Sequence, residues 1–284
     1  MHAPRSPLAR AGLVALLLLS AGWGRCEGTS DGDPVNRPTN WTLYWSDDFD
    51  GSAGTLPSPA IWTPETGGGG WGNNELQYYT DRPVNAALDG QGHLAIVARQ
   101  ESFGGRNYTS ARLITKGKLE FTHGKVEARL KLPAGQGLWP AFWMLGANIS
   151  TVSWPACGEI DIMEFRGQEP RVAFGTVHGP GYSGGQSIGM RYTIPAGAAA
   201  LDQDFHVYGV EWNPGLIVFS LDGIEYFSVR PSDLPSGTDW VFDKPFFLLL
   251  NVAVGGNFVG PVGTGVSFPQ TMLVDWVKVW EAAP

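Results

Sequence analysis

Trp154-Pro155-Ala156-Cys157-Gly158-Glu159-Ile160-Asp161-Ile162-Met163-Glu164-Phe165-Arg166-Gly167 is the stretch on which the fold turns. Alternate residues of a β-strand share a face. Ile160 and Ile162 therefore point one way, into a core, and Glu159 and Asp161 point the other. Glu164 lies five positions after Glu159, so a regular strand sends it to the core side. One extra residue near Met163, a β-bulge, restores the phase and brings all three acids onto one surface. The same period of two carries outward in both directions. It predicts strands at 94–99, 118–121, 125–132, 141–145, 172–178, 206–212, 216–221, 247–254 and 272–280. Turn signals lie between them, among them Asp222-Gly223 and the glycines at 67–70 and 255–256. A helical period of useful length is absent, apart from a turn or two at 198–201, and no repeat recurs at a fixed spacing. Many short strands without βαβ alternation predict an all-β, two-sheet antiparallel sandwich, as one domain over 39–284.

The three acids suit glycoside cleavage, which needs one ionised and one protonated carboxyl on either side of the scissile bond. A retaining mechanism sets those carboxyls about 5–5.5 Å apart. With the bulge absorbed, Glu159 and Glu164 are roughly 13 Å apart at Cα, a gap that two inward-leaning side chains shorten. Asp161 between them pushes their pKa values apart, as an acid and a nucleophile require. Three acids on one strand also suit a solvated face or a calcium site. Their company argues for chemistry: Leu138-Trp139-Pro140-Ala141-Phe142-Trp143-Met144 shortly precedes them, and like charges gathered beside apolar rings are costly.

The 284 residues are 43% hydrophobic and 12% aromatic, enough for one large all-β core. Twelve tryptophans exceed the needs of such a core, and their flat faces match the C–H patches of sugar rings. The beginning reads as a secretory signal peptide over 1–24. Arg5 and Arg10 precede an apolar run at 11–19 that is too short to span a bilayer. A polar linker follows at 25–38. Loss of 1–24 removes two of 19 basic residues and none of 27 acidic ones, so a formal net charge of −8 becomes −10. That surface argues against nucleic acid or an anionic membrane as partner and suits a neutral polymer. Sequons at Asn40, Asn107 and Asn148 are compatible with export, and a secreted monomer is expected. Cys26 and Cys157 leave room for one disulfide and no framework of them.

Gly158–Phe165 resembles the catalytic strand of glycoside hydrolase family 16, in its laminarinase-like branch, where a Met follows the E-I-D-I run. WSDDFDG (45–51), GWGNNELQYYT (70–80), HGKVEARLKLP (123–133), GLWPAFWML (137–145), GTVHGPGYSGG (175–185), LLLNVAVGGN (248–257) and DWVKVW (275–280) extend the resemblance over nearly the whole mature chain. It implies a jelly-roll sandwich with a substrate groove on its concave sheet, and endo-hydrolysis of β-1,3-glucan with retention through a glycosyl-enzyme. Glu159 then resembles the nucleophile, Asp161 its assistant and Glu164 the general acid/base, with no cofactor required for catalysis.

The resemblance extends to the groove. Trp139 and Trp143, four apart and thus on one strand face, match tryptophans that line sugar subsites; core packing is the alternative. Glu127 and Arg129 also share a strand face, and their counterparts hydrogen-bond sugars; a structural ion pair is the alternative. Asn73, in a glycine-rich loop, resembles an asparagine that contacts substrate, while Glu75 and Tyr78 suit loop scaffolding. His178 matches a histidine on the leaving-group side. Asn251 and Phe258 belong to a loop that closes the groove, with Phe258 where many relatives have Trp. Asp48, the backbone of Gly92, and Asp275 match a structural calcium site remote from catalysis, which calls for several oxygen ligands. Within the same fold, mixed-linkage glucan is the first rival substrate, followed by galactan, agar or carrageenan. A non-catalytic glucan-recognition protein is the rival from another class, one in which the two glutamates are lost.

Overall fold

The computed structural model describes residues 37–283. The expected signal peptide, Cys26 and all of the expected linker except residues 37 and 38 lie outside them. Two sheets face each other across one apolar core to which both contribute. The first runs from Ile224–Val229 through Leu216–Leu221, His206–Asn213, Gly124–Lys131, Gln270–Ala282, Leu94–Phe103 and Arg106–Ser110 to Gln77–Tyr79. Trp41–Asp47 pairs with Gln270–Ala282, and Ala86–Leu88 with Leu94–Phe103. The second runs from Ile188–Thr193 through Val172–His178, Glu159–Phe165, Leu138–Gly146, Phe246–Val254 and Arg112–Ile114 to Thr63–Glu65, with Glu120–Phe121 also on Phe246–Val254. Pairing is antiparallel except between Gln77–Tyr79 and Arg106–Ser110. The fold is the all-β jelly-roll sandwich expected.

Period two explains the burial. In Gly124–Lys131, Val126, Ala128 and Leu130 are wholly buried while Lys125, Glu127 and Arg129 are not. Leu94, Ile96 and Ala98 repeat the pattern in Leu94–Phe103. Phe246–Val254 has no such alternation, because every residue in it is buried. One face meets the main core, and Phe247 and Leu249 on the other join a smaller cluster with Ile114, Leu145 and Cys157. Short or polar strands such as Gln77–Tyr79, Arg112–Ile114 and Ile188–Thr193 escaped the sequence reading, since they lack a run of alternating apolar residues. Residues 198–201 form turns rather than helix, and among the described residues helical structure is limited to three 3-10 turns.

The bulge lies in the acidic strand. Asp161 pairs with Thr176 and Glu164 with Phe174, so three steps along one strand match two along its neighbour. A matching slip separates Met163 (opposite Phe142) from Ile160 (opposite Met144). Ile162 and Met163, adjacent in sequence, both point into the core with 1% and 0% exposure. Burying each side chain contributes about 1.5–3 kcal/mol, more than the roughly 1 kcal/mol of a displaced ladder hydrogen bond. Core packing therefore holds the kink in place.

Candidate active site

The phase shift puts Glu159, Asp161 and Glu164 on the outer face of the second sheet, on the wall of an open cleft of about 880 Å³. Indole edges position the two glutamates. Trp154 Nε1 donates to Glu159 Oε2 at 2.8 Å, and Trp139 Nε1 donates to Glu164 Oε1 at 3.1 Å. Thr176 Oγ1 reaches Glu164 Oε2 at 3.4 Å. His178 Nε2 stands 3.1 Å from Asp161 Oδ2 and 3.8 Å from Glu159 Oε1, while its Nδ1 accepts the backbone N–H of Gly184 at 3.1 Å.

Burial dominates the electrostatics of this cluster. It pushes the Glu159 carboxyl up to about 8, with the Asp161 charge adding to the rise. Burial likewise lifts Glu164 to about 7; the imidazole of His178 opposes that rise and the Glu159 charge adds to it. Asp161 is raised well above the ordinary carboxylate range, first by burial and then by Glu164. Three carboxyls so close and so dry disfavour full ionisation together, so their titrations are linked.

Trp139 and Trp143 line the cleft. Trp139 packs against Phe258 at 5.0 Å between ring centroids, and the Arg166 guanidinium lies 4.2 Å over Phe258. Trp143 Nε1 donates to Asn251 Oδ1 at 2.7 Å, and Asn251 Nδ2 donates to Tyr79 Oη at 3.2 Å. Tyr79 Oη and Gln77 Nε2 in turn both donate to Glu75 Oε2, at 3.2 and 2.5 Å. Asn251, 5% exposed, thus has both ends of its amide engaged and fixes the indole edge of Trp143. Asn73 and His178 line the cleft as well. Tyr78 stands apart, packed on Phe103.

One expectation needs correction. Glu127 and Arg129 lie in the other sheet, on the side away from its core, because Val126, Ala128 and Leu130 take the inward positions. Glu127 pairs with Lys125 at 2.8 Å and Arg129 with Asp275 at 2.5 Å, so the ion-pair alternative describes them. Of the expected calcium positions, Asp48 and Asp275 each have a cationic neighbour. Lys278 Nζ is 3.2 Å from Asp48 Oδ1, and Arg129 holds Asp275. An ion there would compete with both cations for its oxygen ligands. Among the described residues, the side chains closest to a metal-binding set are Glu159, Asp161 and His178, whose candidate atoms lie within 4.8 Å of one another. The Gly184 N–H on Nδ1 leaves the proton of a neutral His178 ring on Nε2, so the nitrogen facing the acids is a donor rather than a ligand.

Sequence reading missed several cleft residues. Arg112 lies between the rings of Trp71 and Trp143, 4.7 Å from each centroid, and pairs with Glu65 at 2.5 Å. Its strand is three residues long, too short for periodicity to reveal. Trp154 and Arg166 stand inside the acidic motif itself, and Arg166 follows Glu164 by two, a spacing that already implies a shared face. Cys157 is a fully buried thiol beside the motif, and its burial pushes its pKa up.

Three closely set, buried acids on the wall of an open, tryptophan-lined cleft over a β-sandwich define a class, the glycoside hydrolases of extended carbohydrate chains. The sequence profile of glycosyl hydrolases family 16 matches residues 71–278, and the chain belongs to that family. It is 42% identical over 257 residues to a beta-glucanase of Rhodothermus marinus, covering 87% of this chain and 88% of that protein. The endo-beta-1,3-glucanase structure from Pyrococcus furiosus superposes with a TM-score of 0.81 at 48% identity, over 86% of this chain and 95% of that one. For the catalytic domain of an endo-1,3-beta-glucanase (laminarinase) from Thermotoga petrophila RKU-1 the TM-score is 0.82 at 47% identity, over 86% and 99%.

Proposed function

We propose that this glycoside hydrolase is a secreted, monomeric endo-β-1,3-glucanase that cleaves laminarin-type glucan with net retention. The bulge carries the reading, since it turns Glu159 and Glu164 toward one cleft. The names of the relatives supply the linkage, and the leader at 1–24 supports export of a domain at 39–284. In the first step the Glu159 carboxylate attacks C1 of the sugar, a C–O bond forms, and the glycosidic C1–O bond breaks. Glu164 gives its proton to the departing oxygen. In the second step Glu164 takes a proton from water, the water oxygen bonds to C1, and Glu159 leaves. Asp161 tunes the pair, and two carboxyls suffice without a cofactor. Trp139 and Trp143 offer faces for sugar rings, and Asn73 and Arg112 offer donors to their hydroxyls.

Digests of laminarin, lichenan and agarose, resolved by chain length, test the proposal. Laminarin should yield a ladder of short oligomers; attack on agarose alone would overturn it, and preference for lichenan would move the assignment to mixed-linkage glucan. Glu159→Gln should remove most turnover, by ~10³-fold or more, while leaving the fold intact. Undiminished cleavage by that variant would remove Glu159 from the mechanism.

A further inference from the structure

We propose that Glu75, a carboxylate buried in the wall of the cleft, is a positioning residue that holds the indole of Trp143 in place as one side of a sugar subsite. This deepens the reading of the cleft as a glucan groove and rests on it. Glu75, Gln77 and Tyr79 alternate along the chain, so they share one face, while Tyr78 turns the other way onto Phe103. The three are 5%, 0% and 1% exposed. A carboxyl set so deep is costly unless its oxygens are used. No step of glycoside cleavage uses it, so its work lies elsewhere.

Two hydrogen-bond chains end on Glu75 Oε2, and each has a fixed direction. The first begins at Trp143 Nε1, which can only donate. It donates to Asn251 Oδ1 at 2.7 Å, so the amide turns its Nδ2 toward Tyr79 Oη, which accepts at 3.2 Å. The single phenol proton is left for Glu75 Oε2, at 3.2 Å. The second begins at the backbone N–H of Val254, also a pure donor, which meets Gln77 Oε1 at 2.7 Å. Gln77 therefore turns its Nε2 to Glu75 Oε2, at 2.5 Å. With two donors arriving, Oε2 carries no proton of its own. The group so held lies beside the chemistry. Trp143 stands between Phe142 and Met144, which pair with Met163 and Ile160 of the acidic strand. Asn251 fixes its edge, and the Arg112 guanidinium lies 4.7 Å from its ring and equally far from that of Trp71. Trp71 in turn meets Tyr79 edge-on at 5.3 Å, so Tyr79 supports both aromatic neighbours of Arg112. A ring fixed before the sugar arrives loses little freedom on binding, which strengthens affinity rather than bond breaking. Loss of the Glu75 acceptor should therefore weaken binding more than turnover.

Proton–nitrogen spectra of the indoles in the intact protein read the chain without any substrate. The Trp143 Nε1–H signal, assigned by its loss in Trp143→Phe, should exchange with water at least ~10-fold faster in Glu75→Leu and in Tyr79→Phe. Tyr79→Phe keeps the buried ring and loses only the hydroxyl, so it carries the test where Glu75→Leu fails to fold. Unchanged exchange in Tyr79→Phe overturns the proposal, whatever the protein cleaves. On laminarin, Tyr79→Phe and folded Glu75→Leu should raise KM by ~10-fold with kcat within about threefold of the parent, the mark of lost uniform binding. A loss confined to kcat would place Glu75 in the chemistry and overturn the role given to it here. Glu75→Gln can set its amide oxygen where Oε2 stands and should hold KM within about threefold of the parent. If Glu75→Gln is as impaired as Tyr79→Phe, Glu75 acts through its charge and not through the indole, and the chain is wrong. Absence of laminarin cleavage by the parent would instead sink the functional reading and leave the exchange measurement standing.

Discussion

Glu164→Gln should kill turnover and stabilise the protein, but only at high pH. Glutamine has nearly the same shape and keeps an oxygen for the Trp139 N–H, so the change removes little beyond the titrating proton. Glu164 is held at about 7, raised from 4.5 by burial. A rise of about 2.5 units corresponds to ~3 kcal/mol at 1.36 kcal/mol per unit. Because the cleft is open to water, about half of that, ~1.5 kcal/mol, is the sounder expectation. The sign follows from which state binds the proton more tightly. The folded pKa exceeds the unfolded one, so the folded state is favoured below about pH 4.5, and this contribution is lost as pH rises through about 7. The amide of the variant cannot ionise and loses nothing. Thermal unfolding of parent and variant should coincide near about pH 4. By about pH 8.5 the variant should melt roughly 3–6 °C higher, given about 2–4 °C per kcal/mol for a domain of this size. A variant less stable than the parent at high pH, or a gap equally large at both pH values, would refute the argument that burying this charge strains the fold.

Trp154→Phe keeps the ring but removes the donor to Glu159 Oε2. A hydrogen bond to a charged group contributes ~1.5–3 kcal/mol, and half-exposure of this ring reduces that, so the acid limb of the pH–rate profile should rise by about one unit; no displacement would separate Trp154 from the ionisation of Glu159. Glu127→Ala and Arg129→Ala, on the far sheet, should leave kcat/KM on laminarin within about twofold, as surface changes of about ±0.5 kcal/mol allow. A tenfold loss in either would return that face to the substrate path. Melting temperatures in excess EDTA and in millimolar calcium test the ion site at Asp48, Gly92 and Asp275: agreement within about 2 °C would mean that Lys278 and Arg129 keep the two carboxylates, since only a bound ligand adds stability. A clear rise with calcium would mean that the ion displaces Lys278 and Arg129 from Asp48 and Asp275.

Local pattern and long-range placement divided the work between them. From Glu159-Ile160-Asp161-Ile162-Met163-Glu164 alone, alternation sets the strand, and the five-residue offset between the glutamates demands a kink. Chain chemistry thus determined the all-β class, the acidic trio and the need for a bulge, because those depend on neighbours a few residues apart. Burial of Ile162 and Met163 side by side is the packing that meets the demand. The same alternation said that Glu127 and Arg129 share a face, but not which sheet their strand would join or which way that face would look. Only the pairing of Gly124–Lys131 between His206–Asn213 and Gln270–Ala282 decided that, and it turned both side chains away from the cleft. Arg112 shows the converse: three residues hold no period, yet pairing with Phe246–Val254 brings its guanidinium between Trp71 and Trp143. The tautomer of His178 was equally out of reach. It depends on a backbone N–H six residues away in a turn, and turn geometry is set by the folded surroundings rather than by residue type.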